Sequence, residues 1–328
     1  MMKAMELTAD KGFFVIEVPK PVPTDTQILV RVKYSAIDTS LQNLLDRDMV
    51  ASYIHDMKSK PLMAGNHFSG TIEAVGASVA AQKEFTVGDG VFGHLQYAPQ
   101  TKQGAYSEYV TVEADACALK PSNVSWETAA SSTTEAMTAL QAMRDKAGLI
   151  KGKTVLILGS GGGVGSVAVG IAKSLGASRV TAVCSTRDVD RIQKLGADIV
   201  IDRKTQDNWE TAAVGKFDVV FDAPTKYGLW QASKWLNPGG GFVNTIPTIF
   251  DILLIGWLWG WFTGKIFTTV ACASKKADLD LVGEWLLKGS VAVEIDSTHD
   301  VSSLEAAMRR QNDPSKSGRV AIKVEGGW

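Results

Sequence analysis

The spacing of apolar residues changes near residue 121. Before that point, short apolar runs are separated by Pro, Gly and Asp, a pattern typical of β-strands. The runs occupy residues 13–18, 27–34, 70–75, 90–92 and 105–110. Repeated strands at this spacing predict a small antiparallel barrel or sandwich.

After residue 121, strands and helices alternate. A predicted helix at 126–148 is followed by five apolar strands, at residues 154–158, 180–184, 198–202, 218–222 and 241–246. Between the first two strands, apolar residues recur at helical spacing at Val164, Val167, Ile171 and Leu175. Such alternation predicts right-handed βαβ units that build a doubly wound parallel sheet covered on both faces.

The tail returns to a different pattern. Two helix faces and a last strand at 319–324 follow one another; the faces are Leu279, Val282 and Leu286, then Val301, Leu304 and Met308. The sequence therefore predicts three segments: residues 1–121, an α/β domain at 122–274, and residues 275–328.

A glycine-rich loop at 159–165, GSGGGVG, follows the first strand of the α/β domain and opens a helix. A bound pyrophosphate needs backbone N–H groups at a helix N-terminus with no Cβ in the way. The dinucleotide fingerprint has glycines at the three positions that Ser160, Gly162 and Gly165 occupy here. Only the first position differs, and serine is small enough to make that turn. The alternative is a turn that holds nothing. We predict as cofactor-binding residues Ser160, Gly161, Gly162, Gly163, Val164 and Gly165.

The end of the second strand of this domain indicates which dinucleotide binds. NAD-preferring sites carry an acid there for the ribose 2′-hydroxyl. Here the strand ends at Cys184 and is followed by Ser185, Thr186 and Arg187. Hydroxyl and guanidinium groups suit a 2′-phosphate, and Arg203 after the third strand adds charge. We therefore expect NADPH, with a solvated basic surface as the alternative.

Composition excludes several classes of protein. Of 328 residues, 45% are hydrophobic and 21% charged, so a disordered chain is excluded. The net charge of −1 argues against nucleic-acid binding. Three scattered cysteines without a CxxC pair indicate a reducing compartment. Since the first residues lack signal- or transit-peptide features, we expect a cytoplasmic protein.

One segment stands out by its tryptophans. Residues 252–264, ILLIGWLWGWFTG, carry no charge but are too short to span a membrane. The simplest interpretation is a buried or interface segment. The alternatives are a hydrophobic lid and a surface in peripheral contact with a membrane. We expect it to pack against a second subunit or to line an apolar acceptor site, with lipid contact ranked third.

Residues 155–177, 183–205 and 217–224 resemble the medium-chain dehydrogenase/reductase superfamily, and in particular its zinc-independent quinone oxidoreductase branch. VGDGVFG at 87–93 and SGRVAIKVE at 317–325 agree with that resemblance. The tryptophan-rich segment and the tail KADLDLVGEWLLKG at 276–289 resemble the subgroup that includes chloroplast-envelope quinone oxidoreductase homologues and mitochondrial reticulon-interacting relatives. These relatives make an organelle, with peripheral membrane association, the alternative compartment.

The resemblance implies a fold and an activity. The chain ends would form a GroES-like β-rich catalytic domain around a Rossmann NADPH-binding domain, with the active site in the cleft. The implied reaction is hydride transfer from NADPH to a quinone or to the β-carbon of an enone or enal, in a homodimer or tetramer. Arg203 belongs to the predicted cofactor-binding set by its charge, and the resemblance completes that set with Ala223, Thr245 and Arg319.

Metal ligands are replaced in the two loops that hold zinc in zinc-dependent relatives. The second loop reads AGNHFSG, so Asn66 stands at the ligand histidine position and His67 lies one residue later. Tetrahedral zinc needs several nitrogen or sulfur ligands together. We therefore predict no metal.

The residues that would protonate the product of hydride transfer are less clearly indicated by the sequence. Asp38 stands where quinone oxidoreductases commonly have Asn, and Ser40 replaces a frequent Tyr. The predicted catalytic residues are Asp38, Tyr53, His67 and Thr138. Ordinary loop exposure is the alternative for Tyr53, and a core position for His67. The altered positions motivate a second hypothesis, an NADPH-binding interaction or sensor protein with vestigial activity.

Overall fold

The computed structural model describes residues 1–8, 12–37, 62–95, 103–213, 215–245 and 256–328. These residues form two compact units. Unit 1 comprises Met1–Thr134, Ser274–Leu287 and Val293–Trp328, and unit 2 comprises Glu135–Ala273 and Lys288–Ala292. The sequence-based boundaries follow residues 121 and 274, whereas the first junction of the units follows Thr134, inside a helix, and Lys288–Ala292 of the predicted tail belongs to unit 2.

The described elements follow one another along the chain in the order expected of a β-rich segment, an α/β segment and a mixed tail. The first segment holds strands β1 (Met2–Thr8), β2 (Gly12–Val18), β3 (Gln27–Ala36), β4 (Leu62–Met63), β5 (His67–Val75), β6 (Gly90–His94), β7 (Tyr109–Glu113) and β8 (Cys117–Leu119), with helix α1 (Ala77–Gln82). Helix α2 (Trp126–Leu140) follows and continues as a π-helical turn, Gln141–Lys146.

The α/β segment and the tail hold the remaining elements. The strands are β9 (Thr154–Leu158), β10 (Arg179–Cys184), β11 (Ile199–Asp202), β12 (Phe217–Asp222), β13 (Leu236–Asn244), β14 (Ile266–Thr269), β15 (Ile295–Asp300) and β16 (Arg319–Lys323). The helices are α3 (Gly163–Ser174), α4 (Val189–Lys194), α5 (Trp209–Ala212), α6 (Leu229–Trp235), α7 (Gly256–Thr263), α8 (Lys276–Lys288) and α9 (Leu304–Gln311).

Unit 1 contains two sheets. The smaller has the order β2-β1-β4, and the larger has the order β15-β16-β3-β5-β6-β8, with β7 also paired to β3. The pairs are antiparallel, as the sequence predicted, except for the parallel pair β15–β16. Their shared core is filled by large side chains, among them Phe68, Phe85 and Tyr106.

The strand predictions in unit 1 need correction. They missed β1, β4, β8 and β15, and they placed a strand at 105–110 where the structure has β7 at Tyr109–Glu113. Ala105 and Tyr106 lie in a bend, where their N–H groups donate to the carbonyls of Gly65 and Ala64, and Met5 N–H donates to the Tyr106 carbonyl. Ala105 and Tyr106 therefore bond to the segments around Met5 and Ala64, and they are not part of the pairing of β7 with β3.

Unit 2 confirms the predicted doubly wound sheet. Its strands follow the order β11-β10-β9-β12-β13-β14, and all neighbouring pairs are parallel. β9 is apolar and almost wholly buried, as a central parallel strand requires. The strand order reverses between β9 and β12, so that successive strands are added on one side of β9 and then on the other. In such sheets ligands bind at the carboxyl ends of the strands at this switch point.

Within the described residues, no helix is both long enough and apolar enough to cross a membrane.

Candidate dinucleotide-binding site

The glycine-rich loop leaves β9 at the switch point. Gly159 adopts a left-handed φ of 70°, and Gly162 is the extended residue that precedes α3. Ser160 is fully buried, and both its N–H and its Oγ donate to the Val183 carbonyl at 3.0 Å. This serine therefore ties the loop to β10. The contact explains how serine serves at the first fingerprint position.

The loop glycines differ in why they are needed. A Cβ on Gly159 would lie 2.6 Å from Pro224 Cδ, and a Cβ on Gly165 would overlap the Gly159 carbonyl oxygen. A Cβ on Gly161 would meet the Asp188 carboxylate. Gly162 is exposed, and its Cβ would sit at ordinary contact distance, 3.4 Å, from the Gly159 oxygen. Packing therefore requires three of the glycines, whereas glycine at 162 leaves room for a ligand.

The ends of β10 and β11 bring hydroxyl and guanidinium groups together. Cys184 and Asp202 are register partners, so the residues after them are neighbours. Arg203 Nη2 donates to Ser185 Oγ at 3.0 Å. Arg187 is about half exposed, with its Nε 3.4 Å from an Asp188 carboxylate oxygen. Four predicted residues therefore lie at this tip: Ser185, Thr186, Arg187 and Arg203.

The sequence reasoning missed an acid close to this tip, Asp188. It is buried, and Arg191 Nη2 donates both to its carboxylate at 2.9 Å and to the Gly161 carbonyl at 2.7 Å. Through Arg191, the Asp188 carboxylate is thus linked to the carbonyl of Gly161 and helps to fix the glycine loop. The i, i+3 spacing of these two residues was the available sequence signal.

The carboxylate of Asp202, at the end of β11, also accepts hydrogen bonds within its own turn. Its carboxylate accepts the Lys204 N–H at 2.9 Å and the Thr205 hydroxyl at 3.0 Å. Both carboxylates near the tip therefore have local partners, while the arginines stay exposed. Exposed arginines beside carboxylates that are already hydrogen-bonded would suit a phosphate better than a ribose hydroxyl.

The ends of β12 and β13 supply the next part of the site. Thr245 Oγ1 donates to the Ala223 carbonyl at 2.8 Å, so the structure brings these two predicted residues together. Asp222, just before them, is fully buried, and its Oδ2 accepts the N–H groups of Lys226 and Tyr227 at 2.8 Å each. Burial raises the pKa of Asp222 to about 6 against the lowering effect of these hydrogen bonds.

The raised pKa of Asp222 predicts a pH-dependent stability. Because the folded state binds the proton more tightly than the unfolded state (pKa 3.8), this stabilisation is complete below pH 3.8 and is lost as the pH rises through about 6. The shift corresponds to about 3 kcal/mol. We expect Asp222→Asn to gain up to that much free energy of unfolding relative to the parent between pH 4 and 7. Urea denaturation across that range measures it.

Asp218 provides the matched control at the other end of β12. Although burial raises its pKa, hydrogen bonds from Thr154 and Asn237 hold that pKa below its usual value. Asp218→Asn should therefore lose stability relative to the parent as the pH rises from 3 to 5, the opposite sign. A difference between Asp222→Asn and the parent that does not change with pH would contradict the prediction.

Unit 1 holds a buried polar cluster at the position where zinc-dependent relatives have their ligand histidine. Asn66 Nδ2 lies 3.0 Å from His94 Nε2, and His67 Nδ1 lies 2.9 Å from Thr133 Oγ1 and 3.2 Å from Thr134 Oγ1. In the part of the chain that the structure describes, no three His, Cys, Asp or Glu side chains are grouped to hold a metal. An amide at residue 66 and hydrogen-bonded imidazoles do not fit a tetrahedral zinc site.

The remaining predicted residues stay predictions. Asp38 and Tyr53 lie outside the described residues. Thr138 is buried in α2, and His67 is buried at the start of β5. Arg319 is buried at the start of β16, where its Nη2 donates to the Ile37 carbonyl at 2.8 Å.

Comparison with known proteins gives matches to both parts of the chain. The family "Alcohol dehydrogenase GroES-like domain" matches residues 24–122, and the family "Zinc-binding dehydrogenase" matches residues 163–245. The first match agrees with the GroES-like domain that the resemblance implied. The second covers the helix after the glycine loop and the strands that follow.

Two curated relatives and one solved structure are similar to the chain. The 2-methylene-furan-3-one reductase of Solanum lycopersicum is 40% identical over 187 residues, 56% of this chain but only 46% of that protein. The chloroplastic quinone-oxidoreductase homolog of Spinacia oleracea is 27% identical over 94% of this chain and 93% of that protein. An alcohol dehydrogenase superfamily protein from Novosphingobium aromaticivorans matches with a TM-score of 0.83 and 26% identity, covering 99% of this chain and all of that one.

Proposed function

Because the chain belongs to the medium-chain dehydrogenase/reductase superfamily of NAD(P)(H)-dependent oxidoreductases, we propose that it reduces quinones or α,β-unsaturated carbonyls with NADPH and without zinc. The observation that carries the cofactor choice is the tip of β10 and β11. There, Arg187 and Arg203 are exposed beside Ser185, whereas Asp188 and Asp202 are bound by their own neighbours.

The residues of unit 2 fit the dinucleotide in three places. The N–H groups at the start of α3 would hold the pyrophosphate, with Gly162 leaving room for its approach. The Ser185–Arg203 pair and Arg187 would hold the 2′-phosphate. The linked ends of β12 and β13, at Ala223 and Thr245, offer main-chain groups further along the same edge. When bound, NADPH supplies a hydride.

The acceptor class follows from chemistry that two relatives share. A 2-methylene-furan-3-one carries a carbon–carbon double bond conjugated to a carbonyl, and a quinone carries the same arrangement twice. Hydride addition to either leaves negative charge on an oxygen, which the protein must stabilise and protonate. Tyr53 and Thr138 are the hydroxyl donors we propose for that step, with Asp38 and His67 as the other candidates.

The zinc-free proposal is supported by the donor set in unit 1. Zinc would act by polarising a carbonyl or alcohol oxygen. The cluster of Asn66, His67 and His94 presents an amide and two hydrogen-bonded imidazoles instead. The chemistry we propose therefore relies on hydrogen-bond donors.

A panel of acceptors tests this function. We expect NADPH oxidation with benzoquinones, naphthoquinones, short enals and cyclic enones, and no oxidation of simple alcohols with NADP+. Activity should survive EDTA, and metal analysis of the purified protein should find no stoichiometric zinc. Turnover that EDTA abolishes and zinc restores would contradict the proposal. NADPH binding without turnover of any acceptor would favour the alternative, an interaction or sensor protein.

The compartment also remains a proposal. The spinach relative is named as a chloroplastic protein. This supports an organelle for the present chain over the cytoplasm. Fluorescence microscopy of the tagged full-length protein in its own cells distinguishes the two.

A further inference from the structure

Thr225, in the turn after β12, adopts a backbone conformation that its side chain disfavours. Among the described residues, three other than glycine have a positive φ: Lys83 at 57°, Asn208 at 61° and Thr225 at 52°. Thr225 alone of these is β-branched, and a β-branched residue in the left-handed region is a genuine outlier. Such a conformation persists only where the surrounding structure fixes it, and it is concentrated at functional sites. The contacts of Thr225 must therefore hold it in place.

The hydroxyl of Thr225 joins the turn after β12 to the end of β13. Its Oγ1 accepts the Thr245 N–H at 3.3 Å and lies 3.2 Å from Thr245 Oγ1. Because Thr245 donates its single hydroxyl proton to the Ala223 carbonyl at 2.8 Å, the Thr225 hydroxyl is the donor between the two oxygens. The hydroxyl bonds thus run in one direction, from Thr225 to Thr245 to Ala223. Thr225 supplies both a donor and an acceptor.

The turn that carries Thr225 is fixed by two further contacts. The Thr225 N–H donates to the Asp222 carbonyl at 3.3 Å, and Asp222 Oδ2 accepts the next two N–H groups of the turn at 2.8 Å each. Pro224 lies against the glycine loop, so closely that a Cβ on Gly159 would be 2.6 Å from Pro224 Cδ. The turn is therefore linked both to the glycine loop and to the end of β13.

The place of this turn in the sheet identifies the part of the cofactor that it meets. In the proposed complex, the 2′-phosphate lies at the ends of β10 and β11, and the pyrophosphate lies at the start of α3. A dinucleotide crosses the switch point, here between β9 and β12, so its nicotinamide half lies at the ends of β12 and β13. Ala223, Thr225 and Thr245 are all partly exposed there.

We propose that Thr225 is a positioning residue for the nicotinamide half of the cofactor, an inference that rests on the proposed function. Its hydroxyl ties the ends of β12 and β13 together and so keeps the main-chain groups of Ala223 and Thr245 in place for the nicotinamide riboside. Glycine would adopt the same backbone without strain but would bring no hydroxyl. The strained threonine is therefore retained for its two hydrogen bonds to Thr245.

Titrations of the full-length protein with a whole and with a half cofactor test this role. Thr225→Val keeps the shape of the side chain and removes its hydroxyl. We expect it to weaken NADPH binding roughly tenfold, because two hydrogen bonds are lost. Adenosine 2′,5′-bisphosphate lacks the nicotinamide half, so its affinity should not change, which also shows that unit 2 is folded. Thr225→Ser keeps the hydroxyl and should restore most of the NADPH affinity.

Further variants separate the hydroxyl from the backbone. Thr225→Gly relieves the strain but also lacks the hydroxyl, so it should weaken NADPH binding as Thr225→Val does. In Thr225→Val/Thr245→Val the two losses should be less than multiplicative, because both changes remove the same contacts. The matched control is Thr211→Val, the same change at an exposed position of α5, which should bind both ligands like the parent protein.

Parent-like NADPH affinity in Thr225→Val or Thr225→Gly overturns the proposal. An equal loss for NADPH and adenosine 2′,5′-bisphosphate also overturns it, because unit 2 as a whole would then be damaged. NADH carries the same nicotinamide half, so its affinity should fall by the same factor. If the parent protein binds NADH and not NADPH, the proposed cofactor is wrong, and the NADH titrations still decide the role of Thr225. Binding needs no turnover, so a lack of reductase activity is a separate result.

Discussion

Gly165→Ala is expected to lower the affinity for NADPH by roughly 100-fold or more, since displaced loop N–H groups lose charge-assisted hydrogen bonds worth about 1.5–3 kcal/mol each. The added Cβ would overlap the Gly159 carbonyl oxygen and lie 2.8 Å from Ser160 Cα. Both atoms belong to backbone, so the loop itself must move. The Gly159 carbonyl also accepts the Gly162 N–H at 3.0 Å, so the displacement reaches the start of α3. Fluorescence titration with NADPH measures the loss.

Two further variants separate a binding defect from a folding defect. Gly228→Ala adds the same methyl group before α6, where nothing lies within 4 Å of it, and should behave like the parent protein. Gly162→Ala should keep the parent melting temperature, because the protein has room for its Cβ, and yet bind NADPH less well. Parent-like affinity in both Gly165→Ala and Gly162→Ala would show that the loop does not hold the cofactor.

The α/β fold was predictable because its signals are local. The strands β9 to β12 each contain a short apolar run, and helix α3 between β9 and β10 has an apolar face at helical spacing. The antiparallel sheets of unit 1 were harder. β1 reads MKAMELT, in which Lys3 and Glu6 are three positions apart and break the alternation typical of a strand, and only its pairing with β2 and β4 makes it a strand. The residues around Tyr106, which lie in a bend, were misassigned for the same reason, since hydrogen bonds to distant segments define them.

The residues of the candidate site differ in the same way: those with a local sequence signal were predicted, and those defined by distant contacts were missed. The glycine loop and the residues after β10 could be found because the fingerprint and the strand end are contiguous in sequence. Asp188 left only the weak signal of its i, i+3 spacing to Arg191, and Asp222 left none, because their roles depend on the contact of Arg191 with the loop and on burial at a sheet edge. The exposure of Trp230 beside α7 was equally invisible, since thirty residues separate it from Trp261.

Removal of both tip arginines is expected to reverse the cofactor preference. Arg187→Ala and Arg203→Ala should each weaken NADPH binding roughly tenfold, because each deletes a charge-assisted hydrogen bond to the 2′-phosphate. The double variant should lose roughly 100-fold if the two effects are nearly additive. NADH lacks the phosphate, so its affinity should change little. Adenosine 2′,5′-bisphosphate, a competitive probe of the same pocket, should lose potency in parallel with NADPH.

Arg309→Ala is the matched control, since it removes the same charge from an exposed position in unit 1 and should leave both cofactors unaffected. Asp188→Asn adds a sharper comparison. Its carboxylate braces the glycine loop through Arg191, so its loss should weaken NADPH and NADH alike. If the arginine variants show that same equal loss for both cofactors, the tip of β10 and β11 supports the fold of the loop and does not recognise a phosphate. A selective loss of NADPH assigns the 2′-phosphate to Arg187 and Arg203.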